Sequence, residues 1–528
     1  MEKCFNVTAT CVPSKHYMVD ISGKIDRIEE ELIEKDYYFT INRARQYGKT
    51  TTLSRLAAKL REKYYVIRIS FEGADDLFAS AQNMVNGFLW LTVNELKKTD
   101  LSPTVLEKWA EPISAPLELM QLSSRITELC SSADREIVLM IDEVDKCANN
   151  DLFLGFLGIL RDKYIRRAEG EDTTFKNVIL ASVYDIKNLK RKLRAEEDHH
   201  YNSPWNIAMD FDIDLSFTKG EIATMRREYE NDHQFGINIE WFSSQLYEYT
   251  SGYPYLVSRI CQILDQKVGK EAKFAVPGSA WSPEGFQRAV KLLLSTQCTL
   301  FDDMNKNLDR YPELDKMMSD MLLQGVSYPY TISDNTTQLG VQFGYFKNSD
   351  GTLVIANRIF ETYLYDMYFM REKSDSMARQ GALEKNSFIR NDELNMDMIV
   401  SRFKEHYDFL YSEQNWKFIE ENGRFLFLTF LKPIINGVGN YYIEARTRDK
   451  TRTDIVVDYR GKQYIVEMKI YHGNAYQEKG IDQLCEYLDY HNQEKGWLIS
   501  FCFHKKKEKK AGIELLHKDG KEIMQAIL

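Results

Sequence analysis

The sequence predicts a multidomain α/β protein. A chain of 528 residues is too long for a single hydrophobic core. Runs rich in β-formers alternate with amphipathic helices over the first 216 residues. A second α/β section follows residue 400, after a long helical stretch. Hydrophobic residues make up 44% of the chain and aromatic residues 12%, which is typical of globular proteins rather than disordered ones.

The first section is predicted to be a parallel sheet covered by helices. Its strand-like runs are YYFTI near residue 40, YYVIRIS at 64–70, EIVLMID at 136–142 and NVILASV at 177–183. Each run is flanked by a stretch with helical periodicity. Strands that alternate with helices predict βαβ units, and therefore a parallel sheet.

A glycine–lysine–threonine run joins the first strand to its helix. INRARQYGKTTTLSRLAAKL contains Gly48, Lys49 and Thr50, which are the end of a P-loop pattern. In such a loop, backbone N–H groups and the helix N-terminus hold phosphates, the lysine reaches them, and the hydroxyl holds Mg²⁺. Arg43 stands where the pattern requires its first glycine, so the full pattern is not matched.

An acidic pair ends the strand EIVLMID. Asp142 and Glu143 stand where a Walker B strand has its Mg²⁺-side aspartate and its water-activating glutamate. A buried strand that meets an acidic loop is the simpler alternative. The two motifs together, in one α/β domain, favour a nucleotide site.

With these motifs, the N-terminal two-thirds of the chain resembles the AAA-like ATPases of the STAND-type P-loop class, which are widespread in bacteria. The resemblance rests on FTINRARQYGKTTTL, VLMIDEVD, ILASVYDIKNL and TSGYPYLVSRI. In that class an arginine-rich loop without the first glycine is an accepted variant. The resemblance implies ATP and Mg²⁺ as cofactors, and it allows a homo-oligomer formed through the ATPase.

The resemblance also implies roles for individual residues. Ser182 would be a sensor, and Gly252-Tyr253-Pro254 would be a GxP element that senses nucleotide, although a simple helix-breaking turn explains SGYPY equally well. Arg161 or Arg166 is a candidate arginine finger. The implied cofactor-binding residues are Tyr47, Gly48, Lys49, Thr50, Thr51, Asp142, Ser182 and Pro254, with Glu143 catalytic and with Thr50 and Asp142 at the metal.

The sequence becomes mainly helical after the first section. A short hairpin and a helix are predicted in QFGYFKNSDGTLVIANRIFETYLYDMY, which suggests a winged-helix module. The predicted divisions are a P-loop AAA-like ATPase at 1–216, a helical lid at 217–280, a winged-helix-like module at 281–372, a polar linker at 373–399 and a restriction-endonuclease-like α/β domain at 400–528.

Charged residues interrupt two apolar strands near the C-terminus. In RTDIVVDYRGKQYIVEMKIY, the tetrapeptide YRGK predicts a hairpin turn. A period of two places Glu467 and Lys469 on one face, and the turn brings Asp454 beside them. Mg²⁺ prefers carboxylate oxygens, and a lysine stabilises a hydroxide or a developing phosphorane charge. These residues predict a metal-dependent phosphodiesterase site, although an inert Glu–Lys pair on an exposed strand is the alternative.

The D-x(12)-E-x-K spacing resembles the PD-(D/E)xK nuclease superfamily over about residues 400–505. GIDQLCEYLDYHN, which carries Gln483 and Tyr487, resembles the QxxxY element of exonuclease-like members, and the strand KGWLISFCF follows it. Glu421, in preference to Glu444, is expected to supply a third acid. The implied catalytic residues are Asp454, Glu467, Lys469, Gln483 and Tyr487, and the implied metal ligands are Asp454, Glu467 and Glu421.

Charge and composition limit the partners. The net charge is −10, but residues 441–528 carry +2, so the C-terminal section is the better candidate for contact with a nucleic-acid backbone. The lysine run HKKKEKK at 504–510 contributes to this charge, and a solvated loop also explains it. The eight cysteines form no CxxC pair, and neither a secretion signal nor an apolar run of membrane length is found. A cytoplasmic protein without membrane contact is expected.

The predicted function is an ATP-regulated, Mg²⁺-dependent nuclease that cleaves DNA in preference to RNA. A role in defence against foreign DNA or in mobile-element biology follows by analogy only. Two alternatives stay open at this point. The chain could be a nucleotide-dependent sensor or scaffold whose nuclease-like domain only binds nucleic acid or a partner. It could also be a constitutive nuclease beside a degenerate ATPase in which ATP is structural.

Overall fold

The structure is a computed structural model. It describes residues 3–73, 75–146, 151–183, 204–323, 326–371, 381, 387–390, 393–411, 420–435, 439–444, 454–471, 473–502 and 512–528. Within these ranges only the backbone is described at 75, 146, 323, 369–371, 390, 410–411, 420–422, 440, 442–444, 454 and 474–476. The chain forms two compact units: the first is Met1–Glu228 with Tyr253–Tyr255 and Gln342–Gly344, and the second is the remainder.

The first unit contains a four-stranded parallel sheet. Strands β1 (Cys4–Phe5) and β2 (His16–Tyr17) form a separate short pair, and the main strands are β3 (Phe39–Asn42), β4 (Tyr65–Ser70), β5 (Ile137–Asp142) and β6 (Asn177–Ser182). The sheet order is β3-β6-β5-β4, and all neighbours are parallel. The predicted parallel sheet is therefore confirmed, with each strand at its predicted run.

Helices cover this sheet because its strands are apolar on both faces. All six residues of β5 and of β6 are buried. The core is formed by Ile67, Ile69, Leu139, Ile141, Phe88, Leu122, Ile126, Phe156 and Leu157, among others. The helices of this unit are Ser22–Ile28, Lys49–Leu60, Ala81–Leu96, Pro103–Ala110, Glu118–Ser132 and Asp151–Ala168.

The second unit begins with helices and continues into a hairpin. Its helices before residue 372 include Ile239–Thr250, Pro283–Ser295, Thr299–Arg310, Pro312–Leu323, Asn335–Gln342 and Arg358–Arg371. Three of the described helices carry residues of both units: Lys219–His233, Pro254–Gln266 and Asn335–Gln342, of which only Gln342 belongs to the first unit. Strands β7 (Phe346–Ser349) and β8 (Thr352–Ile355) pair antiparallel ahead of the last helix. The predicted hairpin and helix are present, and the winged-helix assignment stays a prediction.

A six-stranded mixed sheet forms the C-terminal part of the second unit. After the short pair β9 (Ile389–Arg390) and β10 (Glu393–Leu394), its strands are β11 (Gly439–Glu444), β12 (Asp454–Tyr459), β13 (Lys462–Ile470), β14 (Lys495–Phe501), β15 (Gly512–Lys518) and β16 (Lys521–Ile527). The order is β11-β12-β13-β14-β16-β15. The accompanying helices are Met396–Tyr411, Glu420–Ile435 and Asn474–Tyr490.

The hairpin between β12 and β13 has the turn that the sequence predicts. Tyr459 pairs with Lys462, which leaves a two-residue loop. Arg460 and Gly461 in that loop have φ of 50° and 85°. Two positive φ values are characteristic of a type I′ turn, which fixes the strand register. The helices in the described part of the chain include none that is long and apolar enough to span a membrane.

Candidate functional site

The P-loop connects β3 to the helix Lys49–Leu60. Gln46 and Gly48 have φ of 57° and 80°, so the chain turns sharply before the helix begins. The left-handed conformation at Gly48 is strained for any residue with a Cβ atom, which explains the glycine. The helix N-terminus, with its unsatisfied N–H groups, therefore follows the turn directly, as phosphate binding requires.

Lys49 is held inside this loop. Its side chain is 8% exposed, and its Nζ donates hydrogen bonds of 2.9 Å to the backbone oxygens of Arg43 and Ala44. Burial lowers the pKa of Lys49, while the carboxylates of Asp145, Glu143 and Asp142 act in the opposite direction. The ammonium thus lies between the loop and the acidic end of β5, where Thr50 and Thr51 begin the helix.

The acidic end of β5 is partly buried. Asp142 is 4% exposed, and its Oδ1 accepts a hydrogen bond from the Glu143 N–H at 3.0 Å. Glu143 has a positive φ of 56°, and burial followed by the Asp142 charge raises the pKa of its carboxyl group. A strained, partly desolvated carboxylate is common at functional sites.

Ser182 ends β6 next to the start of the loop. It pairs with Asn42 of β3, and its carbonyl accepts a hydrogen bond of 3.2 Å from the Arg43 N–H. The following residue, Val183, donates its N–H to both carboxylate oxygens of Asp145, at 2.9 and 2.7 Å. Asp145 therefore joins the ends of β5 and β6, a function that the sequence reasoning missed. Its place three residues after Asp142, in DEVD, was the available signal.

Arg43 explains how the loop forms without its first glycine. Its guanidinium donates hydrogen bonds of 3.0 Å to the carbonyl oxygens of Asn42, Phe211 and Ile213. The side chain is directed into these carbonyls, and it also lies over the Phe211 ring at 5.2 Å. Arg43 thus fixes the loop to the segment 211–213, a contact between distant segments that no sequence pattern indicates.

Tyr253 and Pro254 of the GYP element belong to the same unit as the loop. A Cβ atom added to Gly48 would lie 3.9 Å from Pro254 Cβ and Cγ. The Tyr253 hydroxyl donates a hydrogen bond of 2.6 Å to the Arg45 carbonyl, and the Tyr253 and Tyr47 rings meet edge to face at 4.7 Å. Pro254 therefore packs against the P-loop glycine. Of the two candidate arginine fingers, Arg166 lies within 4.0 Å of Asp162 on its own helix, and Arg161 is partly buried.

The C-terminal charged residues come together on β13 and the helix Asn474–Tyr490. Glu467 is 1% exposed and Lys469 is 5% exposed, and Lys469 Nζ lies 3.3 Å from Glu467 Oε1. Lys469 also donates a hydrogen bond to Gln483 Oε1. Tyr487, one helical turn after Gln483, is buried and contacts the His491 ring at 5.6 Å.

A glycine allows this helix to approach Lys469. A Cβ atom on Gly480 would lie 3.2 Å from Lys469 Cδ and 3.4 Å from Cε. The neighbouring Gln477 donates a hydrogen bond of 2.7 Å to Ser500 Oγ, which ties the helix to β14. The helix is therefore positioned tightly over the Glu467–Lys469 pair.

The remaining predicted acids are described only by their backbone. Asp454 lies directly opposite Glu467 in the β12–β13 register, and Glu444 lies opposite Asp454 in the β11–β12 register. The side chains of Asp454, Glu444 and Glu421 lie outside the described residues, as does the lysine run 504–510. Among the side chains that are described, no group of three His, Cys, Asp or Glu residues forms a metal site.

Two solved structures are similar to the larger part of this chain. No curated protein matches the chain. The structure resembles the Walker-type ATPase of Pyrococcus abyssi, with 15% identity over 68% of this chain and 99% of that one and a TM-score of 0.43. It also resembles the ORC2 protein of Aeropyrum pernix, solved with ADPNP and ADP, with 12% identity, coverage of 70% and 98%, and a TM-score of 0.40.

The ORC1 protein of Aeropyrum pernix, solved in complex with DNA, matches with 10% identity over 84% of this chain and 90% of that one, with a TM-score of 0.28. A family model described as an AAA-like domain matches residues 11–274, which is half of the chain. This match includes the P-loop, the acidic end of β5, Ser182 and the GYP element. The chain therefore belongs to the AAA-like domain family, and it contains a nucleotide-binding P-loop ATPase module.

Proposed function

We propose that the chain is an ATP-regulated, Mg²⁺-dependent nuclease that cleaves DNA in preference to RNA. The observation that carries this proposal is the buried Glu467–Lys469 pair, with Gln483 bonded to the lysine and the Asp454 backbone opposite Glu467. Burial of an ion pair adds little to stability, because desolvation offsets the attraction. Two buried charges in an apolar strand therefore favour a chemical function over a structural one.

The residues divide into those that would hold the metal and those that would act on the phosphodiester. Asp454, Glu467 and Glu421 are the proposed Mg²⁺ ligands, since carboxylate oxygens suit that ion. Bound Mg²⁺ would supply Lewis-acid activation of the phosphate. Lys469, oriented by Gln483, would stabilise negative charge that develops on the phosphate, and Tyr487 would support the helix that carries Gln483.

The ATPase module would regulate this site. Gly48, Lys49 and the helix N-terminus suit the phosphates, while Thr50 and Asp142 would hold Mg²⁺ and Glu143 would activate water. Pro254, which packs against Gly48, is in a position to respond to nucleotide, and Ser182 is the proposed sensor. We keep the domain divisions at 216, 280, 372 and 399 as part of this proposal.

A scaffold without nuclease activity is the second candidate. It is favoured by the proximity of Lys469 to Glu467, because a carboxylate that already has a cation 3.3 Å away needs no metal to be buried. In the scaffold model the C-terminal domain binds nucleic acid or a partner protein, while the ATPase module changes its nucleotide state.

A cleavage assay on linear and circular DNA with Mg²⁺, with and without ATP, distinguishes the nuclease from the scaffold. The test variant is Glu467→Gln, which keeps the shape of the side chain and removes its charge. The control is Glu514→Gln, which changes an exposed residue on β15 of the same sheet. A nuclease should lose cleavage by about a hundredfold or more in Glu467→Gln, a loss typical of removing an essential group, and should retain DNA binding. Wild-type protein that binds DNA and cleaves none, with or without ATP, would support the scaffold.

A further inference from the structure

A large cavity lies within the second unit, apart from the Glu467–Lys469 pair. Its volume is about 1010 Å³. It is bounded by the helices Ile239–Thr250 and Pro283–Ser295 on one side and by the β12–β13 hairpin on the other. Its lining includes Trp241, Tyr249, Phe286, Tyr464, Trp497 and Asp458. A cavity of this size, lined by both aromatic and polar residues, can hold a small molecule.

Asp458 is the unusual residue of this lining. It is 2% exposed, and its Oδ2 accepts a hydrogen bond of 2.5 Å from the Tyr249 hydroxyl. Its Oδ1 has no hydrogen-bond partner within the described part of the chain. A buried carboxylate oxygen without a donor is costly, so it usually indicates a missing water, ion or ligand.

The charges around the cavity do not favour an anionic ligand. The lysines of the lining are each matched by carboxylates: Lys462 pairs with Glu393, Lys495 pairs with Asp397 and Glu522 at 2.8 and 2.6 Å, and Lys521 pairs with Asp489 at 2.8 Å. Among the described lining residues, no lysine is therefore left for a phosphate or a carboxylate. Asp458 is the buried carboxylate of the described lining, and the groups that face it besides Tyr249 are Gln463, Arg358 and His491.

The aromatic walls suit a cation. The Tyr249 and Phe286 rings meet at 5.2 Å, and the Trp241 and Phe286 rings at 6.1 Å, both edge to face. The Tyr464 and Trp497 rings, which also belong to the lining, lie 5.8 Å apart. Aromatic faces attract ammonium groups through the ring quadrupole, most strongly where water is excluded.

We propose that this cavity binds an organic cation, a protonated amine whose N–H donates to Asp458 Oδ1 and whose apolar body packs against Trp241, Tyr249 and Phe286. Such a ligand would contact two helices and the β12–β13 hairpin at once. Asp458 lies four residues along β12 from Asp454, a distance of about 13 Å at the rise of a strand. The ligand would therefore stabilise the far end of the strand pair that carries the Glu467–Lys469 site. The binding proposal does not depend on nuclease activity.

Calorimetric titration of the full chain with tryptamine and with indole-3-acetate tests the charge requirement on the wild-type protein. The two probes share an indole ring and differ in the sign of their charge, and spermidine serves as a cation without a ring. We expect at least one of the two cations to bind saturably with a Kd below about 1 mM, and indole-3-acetate to bind at least tenfold more weakly. If neither amine binds, or if indole-3-acetate binds as tightly as tryptamine, the proposal is wrong.

The variant Asp458→Asn tests whether the amine binds at Asp458. It keeps the size of the side chain and the contact with Tyr249, and circular dichroism would verify its fold. The matched control is Asp482→Asn, an exposed carboxylate on the helix Asn474–Tyr490. Amine binding should weaken at least tenfold in Asp458→Asn and remain within twofold in Asp482→Asn. Unchanged binding in a folded Asp458→Asn protein would place the amine elsewhere and overturn the proposal.

Discussion

Replacement of Lys49 by methionine is expected to weaken ATP binding by about 10- to 150-fold. In the structure the Lys49 ammonium donates two hydrogen bonds of 2.9 Å to the loop carbonyls of Arg43 and Ala44. Nucleotide binding exchanges these neutral acceptors for charged phosphate oxygens. A hydrogen bond to a charged group contributes about 1.5–3 kcal/mol, and each ~1.4 kcal/mol is tenfold in affinity.

Methionine is a suitable replacement because Lys49 is nearly completely buried. It retains the apolar stem, and it removes an ammonium whose burial already lowers its pKa, so the fold should survive. Fluorescence titration with a labelled ATP analogue at fixed ionic strength gives the affinity, and a thermal melt verifies the fold. Lys97→Met, which changes an exposed lysine of the same unit, is the control. A folded Lys49→Met protein that binds ATP within threefold of the wild type would refute the placement of phosphates at this loop.

Two further predictions concern the C-terminal sheet. Gly480→Ala should reduce DNA cleavage about tenfold, because the added methyl group lies 3.2 Å from Lys469 Cδ and displaces the lysine. The stability of Gly480→Ala should not fall, since alanine is favoured over glycine in a helix by about 1 kcal/mol. The control is Gly158→Ala, whose added Cβ atom would have no other atom within 4 Å. Urea unfolding and DNA cleavage are measured for both variants. Equal cleavage by Gly480→Ala and wild type would contradict the idea that Lys469 must keep its position. Asp458→Asn should become more stable than the wild type as pH rises, because burial raises the pKa of Asp458 above its ordinary value of 3.8. The wild-type carboxyl favours the native state below pH 3.8, and this contribution is lost as pH rises through the raised pKa, whereas asparagine does not titrate. The groups that face Asp458 are Tyr249, Gln463, Arg358 and His491. Urea unfolding between pH 4 and 8 measures the difference, and a difference independent of pH would show that the carboxyl is not perturbed.

The sequence was sufficient for the elements and for the motifs that lie within one element or one turn. The strands β3 to β6 are continuous apolar runs, and YRGK needs two positive φ values that glycine readily permits at one of them. The pairing of Glu467 with Lys469 follows from the period of a strand. These features depend on neighbours in the chain, so composition and periodicity encode them.

Contacts between distant segments were decided by the tertiary structure. In the sequence, Arg43 stands where the P-loop pattern has its first glycine. Only the fold shows that its guanidinium donates hydrogen bonds to the carbonyls of Phe211 and Ile213. Pro254 could be predicted as part of a motif, but its contact with Gly48 could not.

Asp458 illustrates the limit most clearly. In the sequence it is one more acid in an apolar strand, four residues from Asp454. Its partner, Tyr249, is 209 positions away, and its unsatisfied oxygen faces a cavity lined by residues from several elements. Whether a carboxylate is solvated, paired or without a hydrogen-bond donor depends on which surfaces pack around it. Local sequence determines the strand that carries Asp458, and the packing of remote helices determines the chemistry that it can perform.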